Sequence, residues 1–133
     1  MIRKVCFLLC ATMCFGAIFF HEIVGSPVIL SPLVASDLPR DVIGMLSFAW
    51  HTDVVLMLAT TVLFINAALS PHNKITGLIA TGITVGIGIN AYGMALLFDP
   101  IMWQTPAPVL WTVIPIVAVT GVLSNITGNE FQR

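Results

Sequence analysis

Hydrophobic positions along the chain fall into four long blocks separated by short polar punctuation. The first runs from Val5 to Phe20 and extends across His21 and Glu22 to Val24. That supplies the roughly 20 residues needed to cross a hydrocarbon core of about 30 Å. The second, Leu46 to Leu69, ends at Ser70-Pro71-His72-Asn73-Lys74, where turn formers and a charge stop a helix. The third, Ile75 to Phe98, holds no ionisable side chain except Tyr92 and stops at Asp99-Pro100. The fourth, Val109 to Val122, continues through Ser124 and Asn125 into a polar tail. The expected fold is an all-α membrane protein, a single four-transmembrane-helix bundle over residues 1–133, with spans at about 5–24, 46–69, 75–98 and 109–125.

The stretch between the first two blocks, 25–45, reads as a long first outer loop of unusual make-up. Ser26-Pro27-Val28-Ile29-Leu30-Ser31-Pro32-Leu33-Val34 is apolar but carries two prolines, which suits a loop at the headgroup boundary, or a short interfacial or re-entrant piece lying over the bundle as a lid. Ser36-Asp37-Leu38-Pro39 then looks like a helix start, with Asp41 well placed for the helix dipole.

Composition sharpens this picture by exclusion. Of 133 residues, 58% are hydrophobic and 8% charged, far from the roughly 25% charged content of soluble domains. A net charge of −1 without a basic cluster excludes nucleic acid as a partner. The few cations set an orientation: Arg3, Lys4, Lys74 and Arg133 fall on one side of a four-span chain and only Arg40 on the other. Both termini are therefore expected to be cytoplasmic, in a membrane best matched by the bacterial cytoplasmic (inner) membrane. Trp50, Trp103 and Trp111 then sit near the outer boundary, where indole rings serve as anchors. Arg3-Lys4 before an apolar run also begins like a signal peptide, but the run is long and no A-x-A cleavage site follows, so an uncleaved first helix is expected.

Ionisable groups at membrane depth are the natural candidates for chemistry. At about 1.5 Å per residue, His21 and Glu22 lie roughly 24–26 Å from the start of the first span, Asp53 and His51 about 25 and 28 Å from the end of the second, and Asn90 and Tyr92 about 22–26 Å into the third. A polar cluster is thus expected in the outer leaflet, as a hydrogen-bonded interhelical group or headgroup contact or, alternatively, as a proton site. At 100° per residue not all four ionisable groups converge. Asp53 shares a stripe with Trp50, Met57, Thr60 and Phe64 and ranks first; His21, continuing the stripe Cys6, Cys10, Cys14 and Ala17, ranks second; Glu22 and His51 follow. A metal is a lesser possibility, with His21 and His51 as candidate ligands to haem iron or a transition metal, but no H-E-x-x-H, C-x-x-C or C-x-x-C-H is present and the cofactor stays unknown.

The remaining patterns concern packing. The three cysteines recur every four residues and read as small residues on a seam. Gly82-x-x-x-Gly86, continuing to Asn90 and Gly93, marks the third span as a packing centre against another span of this chain or of a second protomer, with Gly77 and Gly88 as further close-approach points. Pro115 is expected to kink the fourth span or free the carbonyl of Trp111, and Asn66 and Asn125 to hydrogen-bond between helices; the Asn125-Ile126-Thr127 sequon falls on the cytoplasmic side and is set aside. No phosphate loop, nucleophile elbow or triad order is present, so no catalytic residues are assigned. The function expected is that of a small integral membrane protein acting by helix association, as a homo-oligomer or as a subunit of a larger membrane complex, with the lipid bilayer as its solvent. The alternatives are a proton-coupled transporter or channel using the polar cluster, and a haem- or metal-binding redox protein.

Overall fold

The computed structural model describes residues 1–70, 73–97 and 103–130, the last six as backbone only. The expectations at Pro71-His72, at the Asp99-Pro100 stop, at the Asn125 side chain and at Arg133 lie outside the described residues. The described chain is all-helical and contains four helices long and apolar enough to cross a membrane.

The first of these is longer than its apolar block. Helix α1 (Ile2–Phe19) passes without a break through a π-helical turn (Phe20–Gly25) into α2 (Ser26–Val34). The segment expected to be a loop is therefore helical over Ser26–Val34, and the connection shrinks to Ala35–Pro39. The physical reason lies at Pro27, which has no N–H and whose ring would collide with the carbonyl of Ile23 in a regular helix. Widening the preceding turn accommodates it: the N–H of Ser26 reaches back five residues to the carbonyl of His21. Pro32 sits inside α2, which is otherwise continuous. The helix ends where Ser36 Oγ donates to the carbonyl of Leu33 at 2.7 Å.

Helix α3 (Arg40–Leu69) starts straight after Pro39 and carries Asp41 in its first turn. Helices α4 (Lys74–Leu97) and α5 (Ala107–Glu130) complete the bundle. Helix α1 packs against α3 and α5, and α4 against α3 and α5, so the four form a ring with α1 facing α4 across its centre. There the ring of Phe7 lies over Gly77, where a Cβ would come within 2.8 Å of it.

The core occupies the half of the bundle nearer Arg3 and Lys74. Phe7, Cys10, Cys14, Phe64, Ala67, Ala80, Ile114 and Ala118 form one buried cluster, with Phe7 and Phe64 stacked at 5.8 Å. Its polar members are threonines. Thr60 and Thr61 donate to the carbonyls of Leu56 and Met57, both at 2.8 Å, and Thr81 to that of Gly77 at 2.7 Å, so each hydroxyl is satisfied within its own helix. At the basic end, Arg3 Nη2 donates to the carbonyls of Ala67 and Ser70, and its guanidinium lies 5.5 Å from the Phe7 ring centre. The cation thereby ties the start of the chain to the C-terminus of α3, the negative end of that helix dipole. In the opposite half the side made by the turn, α2 and the start of α3 is loose by comparison: no residue of the π-helical turn or of α2 is buried, nor any residue of α3 before Met57.

Candidate functional site

The π-helical turn is where the polar residues gather. Because its hydrogen bonds close over five residues instead of four, His21, Glu22, Gly25 and Ser26 all come to the side facing α3. The His21 ring stacks on Trp50 with centroids 3.8 Å apart and planes 19° from parallel. Its Nε2 lies 3.1 Å from the carbonyl oxygen of Trp50. A carbonyl only accepts, so the proton belongs on Nε2 in this arrangement. Trp50 Nε1–H donates to Ser26 Oγ at 2.9 Å, and Ser26 Oγ–H donates to Glu22 Oε2 at 3.2 Å. The second oxygen, Oε1, is shielded from solvent and makes no hydrogen bond; His51 Nδ1 faces it at 3.5 Å. The His51 ring itself is mostly exposed and the Glu22 side chain partly so. Gly25 completes the contact, since a Cβ there would lie 2.9 Å from the Trp50 indole.

Five side chains, His21, Glu22, Ser26, Trp50 and His51, thus form one connected group between the turn and α3. Three of the six candidates, His21, Glu22 and His51, are in it. Asp53 is not: it is exposed on α3 and makes no ion pair among the described residues. It does lie on the stripe of Met57, Thr60 and Phe64, but that stripe is covered only from Met57 onwards. Asn90 is exposed on α4. Tyr92 belongs to a separate pair of helices: its hydroxyl meets Thr112 Oγ1 at 2.5 Å, Thr112 donates onward to the carbonyl of Pro108 at 2.6 Å, and the Tyr92 ring tilts against Trp103 at 5.4 Å. Among the described residues no three of His, Cys, Asp and Glu come together to hold a metal ion, and His21 and His51 are each turned to another partner.

Sequence reasoning passed over Ser26, Gly25 and the contact role of Trp50. The signals were present: Ser26 stands four residues after Glu22, the spacing at which helical side chains meet. Trp50 and His51, adjacent like His21 and Glu22, face them across the two helices.

The packing residues divide differently from the expected seam. A Cβ on Gly82, Gly86 or Gly93 would meet no atom within 4 Å, whereas one on Gly88 would lie 2.6 Å from the carbonyl oxygen of Trp111. That carbonyl is the one left without its helical donor by Pro115, and the bare Cα of Gly88 lets it approach α4. Close contact within the chain therefore uses Gly77 and Gly88, together with Gly121 against Phe7 and Cys6, while the Gly82–Gly86–Gly93 face points away. No family model matches the chain, and no curated protein or solved structure is significantly similar to it.

Proposed function

We propose that the protein is a small integral membrane protein that works by lateral helix association, as a homo-oligomer or as a subunit of a larger membrane complex. In this reading it lies in the bacterial cytoplasmic membrane with both termini in the cytoplasm, since Arg3, Lys4 and Lys74 share one end of the bundle and Arg40 the other. One observation carries it: Gly82, Gly86 and Asn90 recur every fourth residue on a face of α4 that, among the described residues, no other helix covers. Bare glycines let a second helix approach closely, and an amide at membrane depth has no partner in hydrocarbon but finds one across a helix pair. Gly86→Leu tests the reading. Because the site is open, the variant is expected to fold as the parent does and to lose its oligomer or partner in mild detergent, measured by native mass spectrometry. A parent that is strictly monomeric and partner-free, or an unchanged assembly in the variant, refutes the proposal.

A second reading, proton-linked transport, has the Glu22–His51 contact in its favour. Its test is Glu22→Gln in a reconstituted flux assay across a pH gradient, where unchanged flux removes the pair from the mechanism.

A further inference from the structure

Helix α2 is an arm with little to hold it. It buries no residue, its contact with α3 is slight, and Val28, Ile29 and Val34 are exposed along it. Below it the helix passes through the widened turn, where the ladder of four-residue hydrogen bonds is interrupted and Pro27 contributes no donor. What joins this end to α3 is the group around Trp50: stacking by His21, the Trp50–Ser26–Glu22 hydrogen bonds, and the 3.5 Å contact of Glu22 with His51.

We propose that the Glu22–His51 pair is a proton-operated latch, holding the turn and the α2 arm against α3 when the imidazole is charged and loosening them when it is not. The inference is independent of lateral association, because it concerns a contact inside one chain. Among the described residues, the groups that bear on Glu22 are few. From α3 there is His51; on the turn itself His21 faces the Trp50 ring and carbonyl; α2 contains no ionisable residue; and Asp53 lies outside the group. Glu22 Oε1 has no hydrogen-bond donor, so the proton on the facing imidazole decides how well that oxygen is paired. The hold is strongest where the carboxylate is ionised and the imidazole protonated. It weakens when the imidazole loses its proton, and likewise when the carboxylate gains one.

The test is hydrogen exchange of the full-length protein in lipid nanodiscs, followed by mass spectrometry on the amides of residues 28–36 and corrected for the intrinsic pH dependence of exchange. For the parent, protection of the arm is expected to fall about two- to fivefold over a pH series that carries the imidazole from its charged to its neutral form, the size of a partly exposed ion pair. Glu22→Gln and His51→Gln are expected to flatten that profile, and Asp53→Asn to leave it as in the parent. A flat parental profile overturns the proposal even if the variants do not fold. So does a parental profile that persists in Glu22→Gln and His51→Gln, or one that Asp53→Asn abolishes.

Discussion

Gly88→Ala is the sharpest test of the packing between α4 and α5. The added methyl carbon would stand 2.6 Å from the carbonyl oxygen of Trp111, with the carbonyl carbon at 3.7 Å and the Pro115 ring at 4.0 Å. Ordinary C···O contacts between close helices fall at about 3.3–3.6 Å, so the two backbones must part by most of an ångström. The obstacle is a backbone atom, and no side-chain rotation relieves it. Overpacking of this kind costs about 1–3 kcal/mol. Alanine returns up to about 1 kcal/mol through its better helix propensity, so the net effect is a destabilisation smaller than the steric term. Gly82→Ala supplies the internal reference, since it carries the same propensity gain into open space. The assay is reversible unfolding in mixed detergent, followed by circular dichroism, on both variants and the parent. Gly88→Ala is expected to unfold at lower denaturant than Gly82→Ala, by a difference of about 1–3 kcal/mol. Equal stability of the two variants would refute the close approach of the Trp111 carbonyl to α4.

Other expectations follow from single contacts. Arg3→Gln removes a charged donor from the carbonyls of Ala67 and Ser70 and should lower stability in the same assay by about 1.5–3 kcal/mol, whereas Lys4→Gln, at an exposed position without such a contact, should not. Cys10 and Cys14 are fully buried and Cys6 partly so; a small maleimide should therefore modify at most one of the three thiols in the folded protein, and all three after denaturation, as counted by intact-mass spectrometry. Trp50→Phe keeps a ring for His21 to stack on but deletes the donor to Ser26, and is expected to cost about 1 kcal/mol in unfolding measurements. Gly25→Ala places a methyl 2.9 Å from the Trp50 indole and should shift the tryptophan emission and near-ultraviolet circular dichroism, an effect absent in Gly16→Ala, where the space is open.

Four helices were legible in the apolar blocks because membrane-length runs are the strongest pattern a sequence carries. The limits of the first were not. Pro27 and Pro32 read as breakers by their local chemistry, yet a single widened turn absorbs the first and the helix continues to Val34. The same turn undid the face arithmetic at 100° per residue, which set His21 and Glu22 apart and favoured Asp53 over both. Periodicity placed Asp53 on the right stripe of α3, but it does not report where along a helix its neighbours stop covering it. The glycines show the same limit. Spacing marked Gly82 and Gly86 as a seam and could not tell an internal partner from an external one, while Gly88 owes its role to a proline far along the chain that frees the Trp111 carbonyl.

The described helices of the ring differ in length. The helix from Ile2 to Val34 runs for 33 residues and its neighbour α3 for 30, against 24 in α4. At about 1.5 Å per residue the longer helices exceed the shorter by roughly 9–13 Å, a sizeable part of a hydrocarbon core of about 30 Å. The added length of α3 lies at its charged start, Arg40 and Asp41, so it is not apolar length. A bilayer fitted to the 24 residues of α4 would leave the first turns of α3 standing in the headgroup layer, where Arg40 and Asp41 are solvated.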